Sequence, residues 1–392
     1  MAAVDSLPAV ASKGGRNGRC NLLFLHYGDD AMRGSEISLL KIMYGLDRER
    51  FGLFAICNRE RYRQALEAAG VTARCAEIPE VMVDGRYLRL QVASFFRTVF
   101  SLARYIKRND IRLVYCNNGL PSQAGYYAAK LAGVPIVSHV RSPYNLRYIL
   151  LYRMNRVTAR VFVSRAIRDE FCGKVRPKGL STVIYNSVDT ERFTPARQRD
   201  GGERAELGIP ADRIVLGQVG SLIYRKGIDV VLEALALARE SNAALHLVLA
   251  GSGADEPAFR RAAETMGVQR AVTFLGEVAE PLALYQQVFD INLLASRREA
   301  FGVSLIEGAS CGLPAIGSRV DGIPEIIDDN SSGILVPPGD AAALAQAMLT
   351  LAADRSLRER MGAAGRQIVL SRFSLDRYVA SVGAVIEDIL AG

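Results

Sequence analysis

The sequence predicts an α/β fold made of two Rossmann-like domains, and three observations lead to that prediction. The chain has 392 residues, which exceeds the size at which a single hydrophobic core usually stops growing. Short apolar runs alternate with helical patterns through the first half, and a second series of the same kind starts at Ile214. Between the two series, residues 194–202 are polar and rich in Arg and Gly, as expected of a linker. Such alternation builds parallel sheets covered by helices.

The elements of the first half follow from short apolar runs and from helical periodicity. In chain order they are strand 21–27, helix 37–46, strand 51–57, helix 61–69, helix 87–107, strand 113–116, helix 122–132, strand 135–139, strand 161–163 and strand 183–189. Most of these strands are largely apolar, which is typical of parallel strands buried on both faces. Residues 1–19 lack an apolar stretch and are expected to be a disordered lead rather than a signal peptide.

The second half repeats the pattern. Its predicted elements are strand 214–220, helix 228–239, strand 246–250, helix 256–266, strand 272–275, strand 289–295, helix 303–311 and a final helix 374–390 with Ser374 as its N-cap. We therefore expect an N-terminal domain over residues 20–202, a C-terminal domain over residues 203–373 and a closing helix over residues 374–392. The two domains are expected to face each other across a cleft.

Composition excludes several classes of protein. Hydrophobic residues make up 49% and charged residues 23%, as in a soluble globular protein, and no apolar run approaches the length of a membrane span. The six cysteines are dispersed without a Cys-x-x-Cys pair, which favours reduced thiols in a cytoplasmic protein. With three histidines in the whole chain, a structural zinc site is not expected.

Charge is unevenly distributed along the chain. Residues 1–205 carry a net charge of +15 and residues 206–392 a net charge of −7, which together give the overall +8. Between Gly85 and Arg168 there are fifteen basic residues and one acidic residue, Asp110. A block of this sign indicates a polyanionic partner: an anionic membrane, a lipid-phosphate acceptor or nucleic acid. The basic residues of helix 87–107 and of its end (Arg97, Arg104, Lys107 and Arg108) could equally form an ordinary solvated face.

Two carboxylates lie eight residues apart after one buried strand. Glu299 falls in the loop that leaves strand 289–295, and Glu307 falls inside the apolar helix that follows. Open α/β sheets bind ligands beyond the carboxyl ends of their strands, and a helix N-terminus at that edge suits phosphate. Both carboxylates are therefore candidate ligand contacts, the alternative for Glu307 being a solvated position on a surface helix.

Five segments around these carboxylates follow one another in a characteristic order. They are Ser296-Arg-Arg-Glu-Ala-Phe-Gly302, Glu307, Gly312-Leu-Pro-Ala-Ile-Gly317, Asp321-Gly-Ile-Pro-Glu325 and Gly333-Ile-Leu-Val-Pro-Pro-Gly-Asp340. Together they resemble the retaining, nucleotide-sugar-dependent glycosyltransferases of family 4, which have the GT-B fold. The resemblance implies that the first domain binds a hydroxyl acceptor, that the second binds the donor, and that the last helix crosses back to the first domain.

The resemblance also implies roles for individual residues. Lys226 matches the family lysine of a Lys-Gly-(Ile/Val)-Asp motif that holds the donor diphosphate. The family arginine of that loop follows its first glycine, where this chain has Ser221, so Arg225 is the candidate second cation. Glu299 is expected to hold donor-sugar hydroxyls and Glu307 the ribose hydroxyls.

The remaining candidate residues come from other strand ends. His139, at the end of strand 135–139 and close to Arg141, is expected to contact the donor sugar, although a buried core histidine is the competing interpretation. Asn117, at the end of the preceding strand, could line the same mouth. Gly34 lies in the loop that would let the backbone approach the donor phosphate. The other residues expected to line the nucleotide are Gly276, Val278, Ala300, Phe301, Gly302 and Val303.

No Asp-x-Asp occurs in the chain, so we expect fixed cations and helix N-termini, rather than a metal ion, to neutralise the donor diphosphate. No cofactor is expected, and the sugar nucleotide is a substrate. The expected partners are this donor, a hydroxyl acceptor that includes lipid-linked ones, and the anionic inner face of the cell membrane, to which a cytoplasmic enzyme binds peripherally. Two alternatives remain open: a sugar-nucleotide epimerase of the same fold, and a non-catalytic basic module that binds membrane or nucleic acid. Carboxylates in the main cleft argue against nucleic acid.

Overall fold

A computed structural model describes residues 19–28, 34–77, 92–199 and 201–392. The chain divides into two compact units: the first runs to Tyr185 and includes Asp376–Gly392, and the second is Asn186–Leu375. The expected disordered lead, apart from Arg19, and the expected helical residues 87–91 lie outside the described residues.

Among its described residues, the first unit has a parallel sheet of seven strands in the order β3-β2-β1-β4-β5-β6-β7. These are β1 Cys20–His26, β2 Phe51–Cys57, β3 Thr72–Cys75, β4 Ile111–Asn117, β5 Ile136–Val140, β6 Ala159–Phe162 and β7 Leu180–Val183. The order places β1 beside β4, so the chain reverses its direction of travel across the sheet at this pair. The carboxyl ends of β1 and β4 are therefore the topological switch point of this unit.

Helices cover the first sheet. They are α1 Gly34–Gly45, α2 Glu60–Ala68, α3 Val92–Arg108, α4 Gly119–Ala132, α5 Leu146–Leu151 and α6 Arg165–Lys174. Leu102 and Ile106 of α3 pack with Leu23 of β1 and Val114 of β4 in one buried cluster. One member of the basic block is interior: Arg160 is fully buried, and its guanidinium donates to backbone carbonyls, among them Met154 O at 3.0 Å and Leu180 O at 3.2 Å.

The second unit, in its described part, has a six-stranded parallel sheet in the order β10-β9-β8-β11-β12-β13. Its strands are β8 Ile214–Val219, β9 Leu245–Ala250, β10 Val272–Gly276, β11 Ile291–Leu294, β12 Ala315–Ser318 and β13 Gly333–Val336. Its helices are α7 Gly202–Glu206, α8 Ile228–Ser241, α9 Glu256–Thr265, α10 Val303–Ser310, α11 Ala341–Ala353 and α12 Arg355–Arg372. Here the switch point lies between β8 and β11.

The last helix, α13 (Leu375–Ala391), belongs almost entirely to the first unit. Glu387 of α13 pairs with Arg50 at 2.7 Å, and Gly45 of α1 lies so close to Val379 that a Cβ there would fall 2.5 Å from a methyl carbon. The expected return of this helix to the first domain is therefore confirmed, as is the prediction of two Rossmann-like units with parallel sheets.

One predicted strand is wrong. The sequence predicts a strand over 183–189, but β7 is Leu180–Val183 and the chain beyond it is irregular except for a single bridge between Val188 and Ser374. Val188 is fully buried, although this bridge is its sheet contact among the described residues. Burial of Ile184 and Val188, rather than a ladder of hydrogen bonds, accounts for the apolar residues of this segment.

Gly227 illustrates how tightly the second switch point is built. This residue lies between Lys226 and α8 with φ at +68°, in the left-handed region. A Cβ at this position would lie 2.0 Å from the carbonyl oxygen of Ala295, just beyond β11. Only glycine therefore lets the loop after β8 approach the end of β11 this closely.

We expect Gly227→Ala to destabilise the protein strongly, because alanine would combine left-handed strain with a backbone clash. The matched control is Gly267→Ala, where φ is +71° and nothing lies within 4 Å of the added carbon. The control should lower the free energy of unfolding by about 1–2 kcal/mol, and Gly227→Ala by about 3 kcal/mol or more. Urea denaturation of the two variants measures both values. Equal losses would show that the loop relaxes away from Ala295.

Candidate active site

Two loops meet at the switch point of the second sheet. The loop from Gly220 to Gly227 leaves β8, and the loop from Ala295 to Gly302 leaves its neighbour β11 and leads into α10. Gln218 near the end of β8 donates its side-chain amide to Lys226 O at 3.2 Å, and Arg297 N donates to Arg225 O at 2.8 Å. Parallel topology therefore brings the two sequence-predicted donor loops into direct contact.

The centre of this contact is an ion pair between Lys226 and Glu299. Lys226 Nζ donates to Glu299 Oε2, and the two side chains are only 14% and 12% exposed. Ser296 Oγ donates to the same carboxylate oxygen at 3.3 Å. Lys226 is also the only lysine in residues 186–375, a region that is otherwise rich in arginine. The two residues that the resemblance assigns to diphosphate and sugar are thus held together in a largely dehydrated position.

A second layer of polar contacts fixes both loops. Arg297 forms a bidentate pair with Asp229 of α8, with both contacts at 2.7 Å, and its guanidinium stacks 3.9 Å from the ring centroid of Tyr224. The backbone N–H of Glu299 donates to Asp321 Oδ2 at 2.9 Å, and Glu299 O accepts from Gly322 N at 3.0 Å. The position of the Glu299 backbone is therefore set on both sides, which is what a preorganised site requires.

Arg225 has a different environment from Lys226. Its side chain is exposed, and Nη1 donates to the carbonyl of Arg298 at 2.7 Å. Ser221, in the place of the family arginine, is half-buried at the start of the same loop. Arg225 therefore reaches the neighbouring loop but is not part of the buried pair.

Glu307 lies on α10, which begins after Gly302 in a left-handed conformation with φ at +112°. Leu305 and Ile306 are fully buried and fix the helix, while Glu307 is half-exposed. Its Oε2 accepts a hydrogen bond of 2.9 Å from the hydroxyl of Tyr285, which is itself fully buried. Burial and the charge of Glu307 raise the pKa of Tyr285 well above its ordinary value, so this hydroxyl stays a donor.

Nothing in the sequence pattern points to Tyr285. It lies in a π-helical turn, Leu284–Val288, ahead of β11, and its ring contacts Phe193 and Phe289. In an apolar segment such a tyrosine is indistinguishable from a core residue. A single π-helical turn is often found at functional sites, and here it aims the hydroxyl at Glu307.

The other residues predicted to line the nucleotide fall into two groups. Ala300, Phe301, Gly302 and Val303 continue directly from Glu299 into the start of α10. Phe301 is 2% exposed with its ring against Phe373, so only its backbone can reach a ligand. Gly276 ends the edge strand β10, where its carbonyl accepts from Gly251 N at 2.7 Å, and Val278 is half-buried just beyond it.

In the first unit, His139 does not occupy the exposed strand end that the sequence suggests. It lies within β5, is fully buried, and its Nδ1 bonds to the hydroxyl of Tyr115 at 2.7 Å. Burial, aided by the charge of Arg141, lowers the pKa of His139 well below its ordinary value. Its Nε2 has no hydrogen-bond partner in the described part of the chain. Its full burial is what the competing interpretation, a core histidine, expects, and a contact with the donor sugar stays a prediction.

A chain of polar side chains occupies the carboxyl ends of β1 and β4 instead. Arg141 Nε donates to Asn117 Oδ1 at 2.5 Å, which orients the amide so that Nδ2 donates to His26 Nδ1 at 3.0 Å. His26 Nε2 therefore carries the proton that Glu36 Oε1 accepts at 2.8 Å. Burial alone would raise the pKa of Glu36, but bonds from His26 and Ser35 lower it below its ordinary value.

The sequence pattern indicates Asn117 and Arg141 but not His26 and Glu36, which are ten residues apart and meet only because α1 folds back on β1. Gly34 begins α1 two residues before Glu36 and is exposed. Residues 29–33 of the predicted phosphate loop lie outside the described residues. Tyr378 of α13 joins the cluster by accepting a bond of 3.3 Å from Arg141 Nη2.

A cavity of about 630 Å³ in the second unit lies at the opposite edge of its sheet. Asp290, which precedes β11, pairs there with Arg199 at 3.0 Å and with Arg204 at 2.8 Å. Asp290 thus engages both arginines, and the cavity lies apart from Lys226 and Glu299.

In the described ranges, no group of three or more His, Cys, Asp and Glu side chains is arranged to hold a metal ion. The helices of these ranges are also too short or too polar to cross a bilayer.

Comparison with known proteins identifies the class. Residues 32–192 match the family described as Glycosyltransferase Family 4, and residues 201–368 match the family described as Glycosyl transferases group 1. The N-acetyl-alpha-D-glucosaminyl L-malate synthase of Bacillus anthracis is 27% identical over 306 residues, or 74% of this chain and 78% of the relative. The GDP-mannose-dependent alpha-(1-6)-phosphatidylinositol monomannoside mannosyltransferase of Mycobacterium tuberculosis (strain CDC 1551 / Oshkosh) is 28% identical over 313 residues, with the same coverage.

The fold agrees with a solved structure. Anabaena HepE in complex with UDP and glucose matches with a TM-score of 0.79 at 20% identity, covering 93% of this chain and 99% of that one. Two family matches in consecutive order, each centred on one unit, coincide with the fold and with the ordered segments around Glu299. The chain belongs to the family 4 glycosyltransferases of GT-B fold.

Proposed function

We propose that this glycosyltransferase moves a sugar from a nucleoside diphosphate sugar to a hydroxyl acceptor with retention of the anomeric configuration. The observation that carries the proposal is the largely dehydrated Lys226–Glu299 pair at the switch point of the second sheet, with Glu307 about one turn into the helix that follows Glu299. A donor of this kind carries an anionic diphosphate and neutral hydroxyls, which are the natural partners of an ammonium group and a carboxylate.

Each side chain then has one task. Lys226 stabilises the negative charge that grows on the diphosphate as the sugar–oxygen bond breaks, and Arg225 adds a more exposed cation. Glu299 accepts hydrogen bonds from the donor sugar, which places the anomeric carbon. Glu307, oriented by Tyr285, accepts from the ribose hydroxyls. The leaving phosphate takes the proton of the attacking hydroxyl, so the reaction needs no protein base.

Relatives support the class of donor. The Mycobacterium tuberculosis relative is named as GDP-mannose-dependent, and HepE was solved with UDP and with glucose. Both are consistent with a nucleoside diphosphate sugar, and they differ in base. In this chain, contacts with the base would come from backbone groups near Gly276. Backbone groups alone do not indicate which of the two bases is preferred.

The proposed acceptor is a hydroxyl of a growing cell-surface polysaccharide or glycolipid at the inner face of the cell membrane. Support comes from the +15 charge of residues 1–205 and from the relative that is named for a phosphatidylinositol monomannoside. A cytoplasmic enzyme with this charge would be drawn to anionic lipids by about 1 kcal/mol for each well-placed cation.

A panel of nucleoside diphosphate sugars tests the proposal directly. Release of the nucleoside diphosphate should depend on one donor and should rise when an extract of glycolipid and polysaccharide acceptors is added. Because fixed cations are proposed to stabilise the leaving group, the rate should persist in EDTA. Loss of activity in EDTA with recovery in Mg²⁺ or Mn²⁺ would overturn metal independence, and no release from any donor would overturn the proposed reaction.

Lys226→Ala should lower kcat/KM, because a preorganised cation facing the leaving diphosphate is lost. The lost transition-state stabilisation should be on the order of 2–4 kcal/mol. Steady-state kinetics with the selected donor measures this effect, and a thermal melt establishes that the variant is folded. The matched control is Arg261→Ala, which removes one exposed charge from α9 of the same unit. If both variants keep the parent kcat/KM, Lys226 does not contact the diphosphate.

Glu307→Gln should weaken binding of the free nucleoside diphosphate by roughly 1.5–3 kcal/mol, because one charge-assisted acceptor is lost. Tyr285→Phe should weaken it less, since it frees the carboxylate without removing it. Glu299→Ala should leave this affinity nearly unchanged and reduce turnover of the complete donor.

Calorimetric titration with the nucleoside diphosphate separates these cases, with Glu264→Gln on the exposed face of α9 as the control. Identical profiles for the Glu307 and Glu299 variants would show that the two carboxylates do not divide the donor between them.

A further inference from the structure

Helix α3 carries aromatic side chains on its outer face as well as in the core. Phe95, Val99, Leu102 and Ile106 are buried between the helix and the rest of the first unit. Phe96 and Phe100, one turn apart, are instead 51% and 60% exposed. Single exposed apolar residues are ordinary, but two phenylalanines stacked along one helix face form a continuous apolar strip.

The same face is strongly cationic. Arg97, Arg104, Lys107 and Arg108 are all exposed, and Val92–Arg108 contains no Asp or Glu. At 100° per residue, the two phenylalanines and the four cations fall within an arc of about 120°. Exposed phenyl rings are unfavourable on a face that contacts only water. Binding of a soluble polyanion would need the cations but not the two rings.

The strip rests on a rigid base. The ring of Phe96 meets Phe95 edge-on at 5.7 Å between centroids, and Phe95 in turn meets Tyr127 of α4 at 6.0 Å. Arg153 adds a further cation beside this base, with its guanidinium 5.6 Å from the centroid of Tyr127 and a bond of 2.7 Å to its hydroxyl. The exposed rings therefore project from a packed surface.

Aromatic rings flanked by long cationic side chains are typical of helices that bind at a membrane interface. The rings reach the boundary of the acyl chains, and Lys and Arg extend to the phosphate level while their stems remain on apolar surface. At 17 residues, α3 is about 25 Å long and would lie along a leaflet.

We propose that the outer face of α3 is a membrane-docking surface that lies on an anionic leaflet with Phe96 and Phe100 inserted. This surface deepens the proposed function, on which it rests, because it names the residues that would hold the enzyme at a lipid-linked acceptor. Its partner is a bilayer that contains anionic phospholipid. The cations of α3 attract the helix to the anionic phospholipid, and the two phenyl rings insert into the bilayer interface.

The chain contains no tryptophan, so a single introduced tryptophan reports insertion. Phe100→Trp should show a blue-shifted emission with vesicles of phosphatidylcholine and phosphatidylglycerol, and brominated acyl chains should quench it. The control is Tyr44→Trp on α1, where the parent side chain is 62% exposed and should stay in water. Vesicle binding without a blue shift in the Phe100→Trp variant, or equal shifts in the two variants, would overturn the proposal.

Flotation of the full chain with the same vesicles separates rings from charges. Phe96→Ser with Phe100→Ser should weaken binding at least tenfold, and Arg104→Gln with Lys107→Gln roughly fivefold for each cation removed. The charge-matched control is Arg176→Gln with Lys178→Gln, two exposed cations of the same unit, which should bind like the parent. Binding should vanish with pure phosphatidylcholine and fall as salt rises.

The two proposals fail in different ways. Donor-dependent release of nucleotide without vesicle binding, or with binding that ignores the α3 variants, would overturn the docking surface and leave the transferase intact. Vesicle binding through α3 without release from any donor would support the surface and overturn the proposed reaction.

Discussion

The second unit is organised around the contact between Lys226 and Glu299. Two charges with little exposure to water are tolerable only when they are held in register, since removing either partner from a buried pair costs about 3–5 kcal/mol. That requirement explains the surrounding features: the close approach at Gly227, the Arg297–Asp229 pair, and the bond from the Glu299 backbone to Asp321. Parallel topology brings the loops together, and these contacts fix their distance.

The first unit uses the same topology for a different purpose. Its switch point carries a directed series of hydrogen bonds from Arg141 through Asn117 and His26 to Glu36. Because arginine can only donate and Glu36 accepts, every intermediate group has one allowed orientation. The series ties β4, β5 and the start of α1 together, so that a polar edge is built from residues whose bonding leaves little freedom to rearrange.

Buried parallel strands were predictable because a short run that is apolar on both of its faces must be covered on both sides. Most predicted strands and helices lie within a few residues of the observed bounds. Segment 183–189 was predicted wrongly because burial alone gives the same pattern. Around the site, Lys226, Glu299 and Glu307 stand in motifs with recognisable order, whereas Tyr285 looks like any core aromatic residue. The burial of His139 was not predictable, because strand alternation cannot say which of two polar residues, His139 or Arg141, stands beyond the buried layer.

Lys226 is the only primary side-chain amine in residues 186–375, and only 14% of its side chain is exposed. Arginine would bring a broad, planar group that favours two-point contacts, whereas lysine offers a compact charge that can pass from one oxygen to another. The second unit thus has one lysine side chain that an amine-directed acylating reagent can modify. Amine-directed labelling of this half of the molecule would therefore act as a footprint of the ion pair, since any label found there marks a molecule in which the pair had opened.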